Sequence, residues 1–374
     1  MTVLCWTLIA LSVAWVGFAY LGYPLALWVM ARLSPRPVQR RDISPSLSVI
    51  IAVYNGENVL SQKLEASLAL EYAGELEIIV ASDGSTDGTH AIAGSFAEQG
   101  VRLVSLDSRG GKEAAQAAAI AEATGEILIF TDVTAQLEPG AFTAIVRAFA
   151  DPTIGCVSSE DRVDTEGGEG AYVRFEMALR RLENEASSLV GLSGSFFAIR
   201  RELGSPWPTD LASDFRTALE AARRGQRAVS EPAARARFAA SEDTTREWHR
   251  KVRTVRRGIA VLSEYRDVLH PRHGRAAFSL LGHKVARFTS PFALLLLLGA
   301  SAAATPASPM AGALLAAQLA AYLLGGLSLV IPSVARFGPA RLGGFFMLVN
   351  ASMLVAWAYH LSGRRAVVWE PTRR

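Results

Sequence analysis

Apolar residues along this 374-residue chain follow two rhythms, long unbroken runs near the ends and short blocks in the middle. Residues 3–30 carry no charge, are interrupted by Pro24, and are followed by Arg32, Arg36, Arg40 and Arg41. About 20 apolar residues suffice to cross a bilayer, and trailing arginines tend to stay cytoplasmic. The run predicts a transmembrane helix over 1–31 and a linker over 32–46, with the following domain inside the cell. A cleaved signal peptide would have a basic start and a shorter core. The apolar pattern returns over 289–362 as about three segments, 292–304, 310–330 and 345–361, ahead of a basic tail at 363–374. Three spans would carry Arg364, Arg365, Arg373 and Arg374 across the membrane. Either the tail departs from the positive-inside tendency or one segment is re-entrant. Over 274–288, Phe278, Leu281, Val285 and Phe288 alternate with Arg275, His283, Lys284 and Arg287. That pattern suits an amphipathic helix on an anionic leaflet, or an ordinary surface helix.

Between these ends, 47–273 reads as a single cytoplasmic domain. Strands are expected at 47–53, 77–81, 101–106 and 127–131, alternating with helices at 59–70, 90–99 and 112–123. This alternation implies a mostly parallel sheet covered by helices on both faces, with ligands outside the carboxyl ends of the strands. Half of the chain is hydrophobic and 20% charged, as expected when part of it lies in lipid. The net charge of +3 conceals a division, because residues 42–275 hold 26 basic and 34 acidic side chains. An acidic central domain excludes non-specific nucleic-acid binding. Cys5 and Cys156 suggest neither a disulfide framework nor a metal cluster. P-loop, GxGxxG, GxSxG and HExxH patterns are absent.

The informative polar residues fall at strand ends. Asp83 closes the second strand in Ser82-Asp83-Gly84-Ser85-Thr86-Asp87-Gly88, a cluster suited to turns and caps. A carboxylate there also suits a base or ribose. Asp132 closes the fourth strand, and Thr134 follows two positions on, which would point both oxygens to one side. A hard divalent cation carrying a diphosphate needs such ligands. Asp214 opens a helical stretch, as an N-cap or as a general base. Lys112 follows Gly110-Gly111 at a helix start, a favourable place for an anion. Arg250, Arg253 and Arg257 share one helical face, either as a solvated or lipid-facing patch or as donors to a leaving diphosphate.

Together these residues resemble the membrane-embedded family-2 glycosyltransferases of GT-A fold, in the polysaccharide and glycolipid synthase group. Tyr54-Asn55-Gly56-Glu57 is similar to the family's VPxYNEE segment, with Gly56 replacing the first Glu. Asp83 to Thr89 resembles its DGSTDGT motif, and Gly111-Lys112 its GK segment. Asp132 resembles the first position of DxD, with Thr134 in place of the second carboxylate. Residues 192–201 resemble the acceptor-side loop, and Ser213-Asp214 the TED/ED motif. The QxxRW motif of strongly processive synthases is met only by Arg250-x-x-Arg253-Thr254, so the resemblance does not extend to cellulose- or hyaluronan-type processivity.

The resemblance implies an α/β GT-A domain, Rossmann-like, that performs inverting transfer from a nucleoside diphosphate sugar, with UDP expected. Tyr54, Glu57, Asp83, Lys112, Asp132, Arg253 and Arg257 would hold the donor. Asp132 and Thr134 would hold Mg²⁺ or Mn²⁺, Asp214 would deprotonate the acceptor, and Gly194 and Ser195 would face it. The implied partners are a lipid-linked or glycan acceptor, membrane lipids, and either a homo-oligomer or other polysaccharide-assembly proteins. The implied location is a bacterial inner or plasma membrane. Two alternatives stay open: transfer to a polyprenyl phosphate, and a catalytically silent nucleotide-binding partner of a synthase.

Overall fold

The computed structural model describes residues 2–162, 168–237 and 244–363. The helices used below are α1 (Thr2–Leu33), α2 (Leu60–Leu68), α3 (Thr89–Ser95), α4 (Lys112–Glu122), α5 (Ala141–Val146), α6 (Gly168–Ala186), α7 (Ser213–Arg223), α8 (Thr244–Glu264), α9 (Arg275–Ala307), α10 (Pro309–Val330) and α11 (Gly338–Leu361). The strands are β1 (Leu47–Val53), β2 (Leu76–Ser82), β3 (Val101–Ser105), β4 (Ile127–Asp132), β5 (Gln136–Leu137), β6 (Ile154–Arg162), β7 (Phe196–Arg200) and β8 (Arg227–Arg237). They form one eight-stranded sheet in the order β3-β2-β1-β4-β7-β6-β8-β5. The first four are parallel. β7 runs against both β4 and β6, and β8 is parallel to β6.

All seven residues of β1 are buried because helices cover both faces. Val49, Ile51 and Val53 pack with Leu60 and Leu64 of α2, Ala93 of α3 and Phe142 of α5. Ile50, on the other face, shares a core with Ala115 and Ala119 of α4 and Ala218 of α7. Each fully buried Val or Ile contributes roughly 1.5–3 kcal/mol, so a one-residue slip of β1 would forfeit several such contributions. The expected loop at 192–201 is a loop only to Ser195. Phe196 to Ile199 are buried as β7 between β4 and β6, since the Phe-Phe-Ala-Ile run has core to fill on both faces.

Four helices are long and apolar enough to cross a membrane, namely α1, α9, α10 and α11. α1 continues through Pro24 by way of a widened turn at Phe18–Gly22, in which the Tyr23 N–H reaches the Phe18 carbonyl. Such a turn accommodates a proline that lacks an N–H. Trp15 donates to Thr289 and Trp357 to the Phe288 carbonyl, tying α1 and α11 to α9. α10 and α11 approach through glycine, with Gly325 against Gly343 and Gly344, the small-residue contact that favours close helix pairs in lipid.

The expected amphipathic helix at 274–288 is not a separate element. It is continuous with the following span as α9, and its polar side chains turn inward. His283 lies 2.7 Å from Glu183 and 3.2 Å from Glu176 of α6, and Arg287 also pairs with Glu176. Burying these carboxylates requires cationic partners, which explains why His283 and Arg287 face α6. A second widened turn, Leu281–Val285, lies in this stretch. The arginines of the tail fall outside the described residues.

A Cβ on Gly282 would overlap the ring of Tyr23, which is fully buried with its hydroxyl on Glu183. Gly282→Ala is therefore expected to cost about 1–3 kcal/mol through overpacking. Thermal unfolding of the detergent-solubilised protein measures this, and an unchanged midpoint would show that α1 and α9 do not meet there.

Candidate active site

The sheet order reverses direction between β1 and β4, and in doubly wound folds a crevice forms outside the carboxyl ends at such a point. Ala52 of β1 pairs with Asp132 of β4 at that edge. Asp83 lies just beyond β2. Its Oδ1 accepts hydrogen bonds from the backbone N–H groups of Gly110 (2.7 Å) and Gly111 (2.8 Å), fastening the loop that leads into α4. Its Oδ2 is buried and, among the described residues, accepts no hydrogen bond, with Arg109 Nε 4.0 Å away. Gly84, at φ +62, is needed here, because a Cβ would strike the backbone of Ser108 and Arg109.

Glu57 and the 83–88 loop hold each other. The Gly88 N–H donates to Glu57 (2.9 Å), and the Glu57 N–H donates to Asp87 (3.1 Å). The Arg109 guanidinium stacks over the Tyr54 ring at 3.9 Å. The sequence reading missed Arg109, which belongs to no motif and acquires its position from the loop that Asp83 anchors.

Lys112 joins the two halves of the crevice. Its Nζ donates to Asp132 (2.6 Å) and to the Gly194 carbonyl (2.8 Å). Burial opposes its charge, but Asp132, Glu113 and Asp214 outweigh burial and hold the ammonium above its ordinary pKa. The Asp132 N–H in turn donates to the Ser195 carbonyl (3.0 Å). Beneath β4, buried Lys63 donates to Thr131 (3.0 Å) and to the Ala135 carbonyl (2.6 Å), bracing the segment around Asp132. Burial pulls Lys63 down to about 7, against the pull of Asp132. Its place on the inward face of α2, beside Leu60 and Leu64, was the available signal and was not read.

A cavity of about 240 Å³ continues the crevice toward the apolar helices. Lys112, Gly194, Asp214, Arg253 and Arg257 line it, so five of the expected site residues meet there. Asp214 is not the N-cap of α7. Ala212 holds that position, and Asp214 sits in the first turn with its Oδ1 accepting from the Phe215 N–H (2.9 Å). Gly194 abuts the carboxylate, since a Cβ there would lie 3.0 Å from Asp214 Oδ2. Arg257 pairs with Glu113, which also receives the Ser213 N–H (3.4 Å) and so couples α4, α7 and α8. Glu113, adjacent to Lys112, was missed. So was Lys284 of α9, which lines the cavity with its ammonium 5.3 Å from the centre of the Phe215 ring.

Thr134 does not follow Asp132 along a strand. β4 ends at Asp132, and Thr134 lies in an exposed turn, so strand alternation does not set the two side chains side by side. Among the described residues no group of three metal-ligating side chains occurs. A single carboxylate, Asp132, fits a hard cation that takes its remaining ligands from diphosphate and water. It does not fit a resident metal held by protein alone.

The Glycosyl transferase family 2 profile matches residues 48–204. An N-acetylglucosaminyltransferase of Bradyrhizobium elkanii is 30% identical over 124 residues, covering 32% of this chain and 67% of that protein. The chain belongs to glycosyltransferase family 2. A poly-β-1,6-N-acetyl-D-glucosamine synthase of Staphylococcus aureus is 25% identical over 243 residues, 62% of this chain and 58% of the synthase. The chain spans less than two thirds of most of these curated relatives, down to 29% of an N-acetylglucosaminyltransferase of Rhizobium sp.. Among solved structures, the mannosyltransferase PcManGT of Pyrobaculum calidifontis, in complex with GDP-Man and Mn²⁺, superposes with a TM-score of 0.73 at 27% identity. The superposition covers 96% of this chain and 100% of that one, and so includes the apolar helices as well as the GT-A domain.

Proposed function

We propose that this protein transfers a sugar, with inversion, from a nucleoside diphosphate sugar to a lipid-linked or glycan acceptor at the cytoplasmic membrane face. The observation that carries the reading is Lys112, which ties Asp132 on the donor side to the Gly194 loop that abuts Asp214. Tyr54, Glu57 and Asp83 border the nucleoside end, and Arg253 and Arg257 stand where a leaving diphosphate gains from fixed positive charge. Asp214 Oδ2 takes the proton of the acceptor hydroxyl as its oxygen attacks the anomeric carbon, and the diphosphate departs on the opposite face. Gly194 leaves room for the acceptor beside that carboxylate. A divalent cation held by Asp132, with its remaining ligands from diphosphate and water, would supply neutralisation of charge on the leaving group. Mannosyltransferase PcManGT is described with Mn²⁺ and GDP-mannose, whereas the three relatives above are named for N-acetylglucosamine. UDP is therefore one arm of a donor panel, with GDP the other.

Incubating purified protein and native lipid extract with UDP- and GDP-sugars plus Mn²⁺, and measuring released nucleotide, tests the activity. A chelator is expected to abolish release and Mn²⁺ to restore it. Titration of Mn²⁺ without nucleotide should show only weak binding, as a one-carboxylate site requires. Full turnover in excess chelator would remove the cation from the mechanism.

A second reading has its own support. Lys284 lines the acceptor end of the cavity and makes no hydrogen bond or ion pair among the described residues. A cation so placed in a membrane helix favours an acceptor that is itself an anion, such as a polyprenyl phosphate. That acceptor needs no general base.

A further inference from the structure

A second cavity, of about 380 Å³, lies away from the active site, and its lining carries four arginines and a histidine with no carboxylate. It is enclosed by the turn from α7 into β8, which carries Arg223 and Arg227, and by the turn entering α9, which carries Arg272 and His273. Arg36, three residues beyond the end of α1, completes it. The cavity therefore lies beside the junction of two apolar helices with the catalytic domain. Arg275 closes that junction, donating to the Ser34 carbonyl (2.7 Å) and the Ala186 carbonyl (2.7 Å).

At Arg227, protein groups satisfy the hydrogen bonds without neutralising the charge. Arg227 donates to the carbonyls of Ser187 (2.8 Å), Arg36 (3.0 Å) and Asn184 (2.9 Å), all uncharged. Burial, followed by the nearby Arg36 guanidinium, pulls Arg227 down to about 10, against Asp151. Arg223 pairs with Asp267 and stands 3.9 Å from Glu220, while Arg272 lies 3.9 Å from the same Asp267 carboxylate and Arg224 shares Glu220, so two acids face three cations. Arg272 also donates to His273 Nε2 (3.1 Å). Among the described residues, the cavity arginines with no carboxylate ion pair are Arg36 and Arg227, and Arg272 has only a shared, exposed one.

We propose that this cavity binds the phosphate headgroup of an anionic lipid from the adjoining leaflet, docking the catalytic domain against the membrane. A phosphate oxygen accepts from several guanidinium groups at once, and basic pockets at the ends of membrane helices hold such headgroups. A lipid source fits because the cavity lies beside the ends of α1 and α9 that join the catalytic domain, and both helices are long and apolar enough to cross a membrane. Sugar transfer by the other cavity is not assumed, and the test reads lipid binding alone.

Full-length protein is reconstituted in nanodiscs of phosphatidylcholine with or without phosphatidylglycerol, extracted, and its retained lipid counted by native mass spectrometry. Phosphatidylglycerol is expected to be retained by the wild type. The double variant Arg36→Gln/Arg272→Gln should hold it roughly thirtyfold more weakly, two basic contacts having been lost. Both arginines are solvent-exposed at the cavity rim, so the variant's thermal midpoint should match the wild type and exclude unfolding as the cause. Equal retention by variant and wild type would overturn the proposal. So would glycerol phosphate displacing the lipid at equal concentration in detergent, since the site would then serve a soluble phosphate.

Discussion

Asp214→Asn is expected to slow sugar transfer by about two to four orders of magnitude while nucleotide-sugar affinity stays within about twofold. The amide keeps the shape of the side chain and can still accept the Phe215 N–H, so the first turn of α7 and its contact with Gly194 remain. What disappears is an oxygen able to take the acceptor proton. The loss should therefore appear in kcat and leave the Kd for donor nucleotide nearly unchanged, because Asp214 lies across the Lys112 bridge from Asp132 and Asp83. The same variant separates the two acceptor classes. A hydroxyl acceptor needs the base, whereas a phosphate acceptor is ionised already. Near-normal transfer by the variant would reject Asp214 as general base and favour the anionic acceptor suggested by Lys284. Loss of both transfer and nucleotide binding would point to collapse of the α4–α7 junction that Glu113 holds.

The fold was legible where burial imposes a simple code. The expected 47–53 strand is β1 residue for residue, because a strand covered on both faces has no polar positions to blur its limits. The strand ends at Asp83 and Asp132 were readable for a related reason, since a carboxylate has no hydrogen-bond donors among the apolar side chains of such a core and finds them only where the chain leaves the strand. The half of the sheet beyond β4 was less legible. β7 runs antiparallel between two longer strands, and its Phe-Phe-Ala-Ile run looks the same in a loop that packs as in a strand that pairs. The stretch at 274–288 was misread because alternation of apolar and basic residues records only that two environments exist. It does not say that the polar one is the carboxylate pair Glu176 and Glu183 on α6, a hundred residues earlier.

The site was legible in the same uneven way. Lys112, Gly194, Asp214, Arg253 and Arg257 announced themselves through motif or charge, and all five line one cavity. Arg109, Glu113, Lys63 and Lys284 did not, because each acquires its role from a partner distant in sequence. Thr134 shows the opposite failure. Its spacing from Asp132 was meaningful only if the strand continued, and the chain turns at that point.

Asp83→Asn should weaken nucleotide binding by about ten- to a hundredfold without lowering the thermal midpoint. Asp83 is 1% exposed, and the two halves of its carboxylate are treated differently. Oδ1 receives two backbone N–H groups, a structural duty that an amide oxygen can continue. Oδ2 receives no hydrogen bond, with Arg109 Nε standing 4.0 Å away. Burying a charged oxygen without a donor costs about 1–3 kcal/mol or more, and an incoming donor from a nucleoside would recover that cost as affinity. In the asparagine variant an NH₂ faces the same space, so it presents a donor to a donor, while the buried charge and its cost are gone. Stability should hold or rise as affinity falls. Asp83→Ala provides the contrast, since it also releases Gly110 and Gly111 and should lower both. Calorimetric titration with UDP and GDP, alongside thermal unfolding, reads the two effects separately. Wild-type nucleotide affinity in the asparagine variant would remove Asp83 from the donor site and leave it only as an anchor for the loop ahead of Lys112.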